Sequence, residues 1–344
     1  MDRQGLLSRS AAIGAIFTGV VICLGALTRL VNAGLGCPDW PGCYGKLIVP
    51  ASQKVAELIY PATPLVAYKA WAEMVHRYFA GTLSVICLLV VGLLLMQYRT
   101  NSRHPALDAG SPEKTSILAS RLTQAILLIA LIIYQIMLGR WTVTLHLLPV
   151  IVTQHLMGGL LIMSLLWFIH ISQTEKHHLS TPYFKPLARI AFILVLAQIF
   201  LGAWTSTHYA SLSCPDFPFC ENAHPLLGFS HVHLAFPFSS TTGINYEGGV
   251  LALPIRQSIQ MLHRLGALIV TGYLLGFGIF TVLHVQQAKV QRWAIAMMLC
   301  CVLQISLGMA NVLFALPLPI AMAHTVTAAF LLLTVVTLNG ITKT

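Results

Sequence analysis

The chain has 344 residues, of which 57% are hydrophobic and 9% charged, with a mean hydropathy of +0.79; a soluble domain carries about 25% charged residues, so an ordinary soluble fold is excluded and a bilayer is implied. The net charge of +10 does not indicate nucleic acid. Its basic residues lie in short connections between apolar runs, where they orient a membrane protein.

The first apolar run, 11–32, follows a short basic start with Arg3 and Arg9. It is long enough, at the roughly 20 residues a bilayer requires, to stay as a span rather than be removed as a signal. Further runs follow at 72–97, 121–141, 150–170, 187–208, 258–284, 293–314 and 320–340. The expected fold is all-α, a polytopic membrane protein of eight transmembrane helices. Of the 20 Lys and Arg residues, twelve fall on one side of this arrangement and eight on the other, a bias that places both termini in the cytoplasm. No Arg-rich, acid-poor leader of mitochondrial type precedes the first run, which favours a bacterial plasma (inner) membrane.

After helix 1 come Cys37 and Cys43, and after helix 5 come Cys214 and Cys220. Both pairs therefore fall in loops on one face, outside, and read as two disulfides in an oxidising compartment. Cys23, Cys87, Cys300 and Cys301 lie within apolar runs and read as small hydrophobes. The cysteines also expose an internal repeat: LGALTRLVNAGLGCPDWPGC (24–43) aligns without a gap on LGAWTSTHYASLSCPDFPFC (201–220), at an offset of 177. EMVHR (73–77) aligns on QMLHR (260–264), and YQIMLG (134–139) with TQH (153–155) on LQISLG (303–308) with MAH (322–324). The expected organisation is two tandem pseudo-symmetric four-helix bundles, 1–175 and 176–344, related by an axis along the membrane normal. The long connections, 33–70 and 209–257, are both outside, and 98–120 and 171–186 are polar linkers inside.

The even-numbered helices carry His76, His155, His263 and His324 at one expected depth, about 8–11 Å inside the outer leaflet at 1.5 Å per residue. Two imidazoles at equal depth in one bundle can approach an iron from opposite faces, as axial ligands of a haem. Any one of these histidines could instead bond a neighbouring carbonyl or line a proton path, but the repetition in pairs argues for ligation. Zinc fits less well, since it takes four ligands from Cys, His or carboxylate. The other ten histidines read as ordinary surface residues, with His146 and His208 the two near the outer face. Arg77 and Arg264 each follow a paired histidine. Each guanidinium suits a haem propionate, or alternatively snorkels to the interface.

NAGLGCPDWPGC after helix 1, EMVHR of helix 2, QH of helix 4, the repeated CPDFPFC, and the HR and AH of helices 6 and 8 together resemble the haem A synthase family, over almost the whole chain. The resemblance implies an oxidoreductase that converts the ring methyl of haem O to a formyl group through a hydroxymethyl intermediate, yielding haem A for terminal oxidases. It implies haem O and haem A as substrate and product in the N-terminal half at His76 and His155, and a permanent haem b in the C-terminal half at His263 and His324. It further implies a redox role for Cys37 and Cys43 beside the structural one, with a purely structural disulfide as the alternative; for Cys214 and Cys220 the structural disulfide is the reading adopted. Expected partners are haem O synthase, terminal oxidase assembly factors and membrane lipid; a homo-oligomer is left open. The loop 221–256 is longer than its counterpart and departs from the repeat.

Glu73 stands one helical turn before His76 on the same face, and its counterpart is Gln260. A carboxylate there suits a general base for water or proton removal, or alternatively an interfacial partner for Arg77 or Lys69. Two other functions share these features. A diheme b-type cytochrome would transfer electrons without modifying haem, and a transporter would use the repeat without haem.

Overall fold

The computed structural model describes residues 3–103, 112–173, 177–178, 183–216, 220 and 243–343. Eight long helices account for nearly all of it: α1 (Arg3–Leu30), α3 (Ala67–Arg103), α4 (Pro112–Thr144), α5 (Pro149–Ser172), α6 (Phe184–Thr207), α7 (Leu253–His284), α8 (Ala288–Leu313) and α9 (Leu318–Gly340). Each is long and apolar enough to cross a membrane. A short helix, α2 (Gln53–Glu57), lies in the first cysteine loop, and two two-residue strands, β1 (His177–His178) and β2 (Thr342–Lys343), pair in parallel at the other end. The fold is all-α with eight membrane helices, as composition implies.

The helices overrun the apolar segments, most visibly where α3 begins at Ala67 and ends at Arg103 around the run 72–97. Loss of hydropathy marks the bilayer edge, whereas a helix continues until its backbone hydrogen bonds are interrupted. Helices α5, α7 and α9 all begin with proline in their first two positions, where the missing N–H costs nothing. Left-handed residues close the odd-numbered membrane spans: Asn32 and Tyr209 after α1 and α6, His146–Leu147 and Ala315–Leu316 after α4 and α8. These positions recur at the spacing of the sequence repeat.

Helix α1 packs on α3 and α5, and α4 bridges α3 to α5; α6 packs on α7 and α9, and α8 bridges α7 to α9. The two sets meet through α5 against α6 and α9, and α1 against α9. A continuous apolar core runs through both, with Leu94, Leu128 and Leu166 in the first set and Phe184, Leu274 and Leu332 in the second. Ala188 and Ala191 are fully buried, which fits membrane packing, where small side chains let backbones approach. Large apolar side chains such as Ile16, Val85, Leu268 and Leu299 point outward, toward what would be lipid. At the cysteine-loop end the sets are tied by Arg29, whose guanidinium lies 3.8 Å over the Tyr209 ring. Tyr209 donates its hydroxyl to Asn32 Oδ1 at 3.0 Å, and Lys69 pairs with Glu247 at 3.1 Å.

Candidate functional site

One cavity of about 1390 Å³ runs through the molecule and is lined by His76 and His155 in the first set and by His263 and His324 in the second. It exceeds the roughly 300–1,000 Å³ of a site for a drug-sized ligand. The four imidazoles are half-buried, and the surface they keep faces this cavity. His76 and His155 stand face to edge, with ring centroids 6.4 Å apart and planes at 85°. His263 and His324 line the same cavity from α7 and α9 of the second set.

Each ring rests on a glycine of the neighbouring odd-numbered span. A Cβ at Gly25 would stand 3.0 Å from His76 Cε1, at Gly139 3.5 Å from His155 Cε1, at Gly202 3.0 Å from His263 Cε1, and at Gly308 3.1 Å from His324 Cε1. Glutamines complete the support. Gln135 donates to the main-chain carbonyl of His155 at 3.0 Å, and Gln198 donates to that of His263 at 2.9 Å. Gln304 Nε2 lies 3.2 Å from His324 Nε2, and Gln198 Nε2 lies 3.0 Å from His263 Nδ1. Nothing in the sequence reading picked out these residues. All four glycines and Gln135 and Gln304 sat inside or beside the aligned strings, so recurrence of Leu-Gly at each odd span was the available signal.

Above the cavity, the disulfides Cys37–Cys43 and Cys214–Cys220 are formed, as expected from their spacing in the loops. Glu73, buried in α3, accepts a hydrogen bond from the Cys37 N–H at 2.9 Å and forms an ion pair with Arg77. Arg77 also donates to the carbonyls of Asp39 at 3.0 Å and Pro41 at 3.1 Å, and to that of Gly42. Gln260 repeats the Glu73 contact, its Oε1 accepting from the Cys214 N–H at 2.9 Å while its amide donates to the Ser211 carbonyl at 2.7 Å. Arg264 donates to the carbonyls of Cys214 at 2.6 Å and Asp216 at 2.8 Å. Arg77 and Arg264 therefore brace the cysteine loops while lining the cavity. Within the first loop, Asp39 accepts from the N–H groups of Tyr44 and Gly45. Burial, with Asp39 and Glu73 nearby, pushes the Tyr44 phenol above its usual value.

His208 departs from the surface role assigned by sequence: it is buried, its ring edge-on to Trp204 at 4.5 Å. The end of an apolar run says where the helix leaves the bilayer, and a loop folding back over that end can still cover it. Residues 221–242 of the long second loop 221–256 lie outside the described residues, which resume at Gly243.

The resemblance implies haem, and the residues present fit it. Nδ1 of His76, His155 and His324 is buried with no partner, a cost a native site must offset. Among the described residues no group of three His, Cys, Asp or Glu side chains gathers, so each pair suits a metal that brings its own equatorial ligands. His76 with His155, and His263 with His324, would hold the haem iron, which would supply the redox chemistry of the site.

Fold and site thus define a polytopic helical membrane protein whose paired histidines face one interior cavity. The sequence model of the COX15-CtaA family, described as cytochrome oxidase assembly protein, matches residues 9–336. The chain is 36% identical to a heme A synthase of Shewanella oneidensis over 95% of this chain and 94% of that protein. It is 24% identical to a heme A synthase of Bacillus licheniformis over 87% and 84%, and 25% identical to one of Rickettsia canadensis over 99% of each. The chain belongs to this family, that of the haem A synthases.

Proposed function

We propose that this chain is a haem A synthase, an oxidoreductase acting on the ring methyl of haem O. Conversion proceeds through a hydroxymethyl group to the formyl group of haem A. The observation that carries the reading is the pair His76 and His155, 6.4 Å apart across a cavity that Glu73 also lines. Residues 1–175 form the substrate half and residues 176–344 the half that keeps haem b between His263 and His324. Haem b, when bound, supplies a one-electron carrier for electrons leaving the substrate.

The asymmetry between Glu73 and Gln260 supports this division. Both side chains hold a cysteine loop, but only Glu73 can take up a proton, so the half that needs a base is the first. Its carboxylate lies beside the Cys37–Cys43 disulfide through the Cys37 N–H, which keeps open a redox role for that pair. Arg77 and Arg264 are cations that propionates would meet at the cavity wall. Haem O synthase would supply the substrate, and a terminal oxidase under assembly would receive the product, in keeping with a family of cytochrome oxidase assembly proteins.

A diheme cytochrome that leaves haem unmodified has the same histidine pairs, but the named relatives are haem A synthases. The deciding experiment is extraction of pigment from the purified protein and its resolution by mass. Haem O, its hydroxylated form or haem A beside haem b is the expected result. Haem b alone, in both sites, would overturn the proposal.

A further inference from the structure

Where the two sets of helices join, residues equivalent in the internal repeat touch one another. Arg29 of α1 donates from Nη2 to the main-chain carbonyl of Ser206 on α6, and Asn32 accepts from the Tyr209 hydroxyl at 3.0 Å. Both pairs are separated by the repeat offset of 177. An axis relating two copies would pass between such pairs, and two arginines facing each other there would repel; the sequence puts one cation at this point and a serine at its counterpart. Arg29 stands four residues after Gly25, and Ser206 four after Gly202. Each is thus one turn, about 6 Å, toward the cysteine loops from the glycine under His76 or His263. The guanidinium lies between the two histidine sites, on the cavity they share.

A guanidinium has five N–H donors and stays charged in proteins. The contacts of Arg29 are the Ser206 carbonyl and the face of the Tyr209 ring, and no carboxylate of the described residues pairs with it. Glu247, in the same tie between the sets, is committed to Lys69. The other two arginines on the cavity are differently placed. Arg77 is neutralised by Glu73 and donates to three loop carbonyls, and Arg264 donates to the carbonyls of Cys214 and Asp216. A charge held within a membrane bundle without a counter-ion is costly. Arg29 therefore calls for an anion, and the cavity is where one can reach it.

We propose that Arg29 is a carboxylate-binding residue at the junction of the two sites, where its guanidinium takes the propionate of a haem held at either histidine pair. The planar fork of an arginine matches the two oxygens of a carboxylate, and propionates are the anionic groups that a haem presents. The same charge makes a neighbouring haem easier to reduce, because a cation favours the form that carries one more electron. This role goes beyond the division of the halves and rests on the reading of the paired histidines as haem sites.

The test uses the full-length protein in detergent. Protein made in haem-limited cells is titrated optically with haemin and with haemin dimethyl ester, which has the same ring and iron but no carboxylate. The midpoint potential of the haem that copurifies from haem-replete cells is measured beside it. Arg29→Met keeps a long side chain without its charge. It should reduce the preference for haemin over the ester about 10–100-fold, the size of a hydrogen bond to a charged group, and lower the potential. If Arg29 only ties the sets together, Arg29→Met lowers the thermal unfolding temperature and leaves preference and potential at their wild-type values, which overturns the proposal. Should Arg29→Met fail to accumulate, Arg29→Gln, whose amide can still donate to the Ser206 carbonyl, is judged by the same two readouts and the same criterion. His76→Ala, His155→Ala, His263→Ala and His324→Ala separate the two readings. If these weaken haemin binding while the Arg29 variant matches wild type, the proposal for Arg29 falls alone; if none of them weakens it, the haem sites themselves are misassigned and both fall.

Discussion

The Cys37 N–H donates to Glu73 Oε2 at 2.9 Å, and the Cys214 N–H donates to Gln260 Oε1 at the same distance. An amide therefore suffices to hold a cysteine loop over the cavity, and the charge of Glu73 is not required for that task. Glu73→Gln is expected to keep the Cys37–Cys43 loop and both haem sites but to lose haem A formation, with pigment stalling at the hydroxymethyl stage. Mass analysis of extracted haem checks this, and full haem A yield would remove the base from the mechanism. Glu73→Ala should add a stability loss of about 1–3 kcal/mol by leaving the buried N–H unpaired, read by thermal unfolding in detergent.

The histidine pairs lead to a second expectation. His263→Ala or His324→Ala should remove the haem b spectrum, whereas His76→Ala or His155→Ala should leave most of it and abolish product. Optical spectra of the four purified variants, with haem mass analysis, are the measurement. Equal bleaching in all four would contradict the division of labour between the halves.

The glycines under the four rings allow a graded test. An alanine Cβ would meet His76, His263 and His324 at 3.0–3.1 Å but His155 at 3.5 Å, an ordinary contact. Overpacking of this kind costs about 1–3 kcal/mol. Gly202→Ala and Gly308→Ala should lower haem b occupancy, Gly25→Ala should lower product formation without affecting haem b, and Gly139→Ala should do least. Haem-to-protein ratios and product yield rank the series; an effect of Gly139→Ala as large as the others would show that contact with the ring is not the cause.

Both cysteine pairs are disulfide-bonded, and the expected topology puts them outside. A membrane-impermeant thiol reagent applied to intact cells should label Cys37, Cys43, Cys214 and Cys220 only after reduction. Labelling of unreduced cells would contradict the disulfides, and labelling only after lysis would contradict the orientation.

Hydropathy over 20-residue windows, the Cys-x5-Cys pairs and the gapless repeat are properties of contiguous sequence. The eight spans, both disulfides and the four cavity histidines could therefore be read without coordinates. What only the tertiary structure decided is which side each helix turns to its neighbours. These helices are apolar on nearly all sides, since lipid and core make similar demands, and an all-round apolar helix carries little periodic signal of its buried face. Thus the contact of Gly25 with His76, the reach of Gln198 to His263, the hydrogen bond from the Cys37 N–H to Glu73 and the burial of His208 follow from helix rotation and loop return. Residues far apart in the chain set both, and neither is written in any one segment.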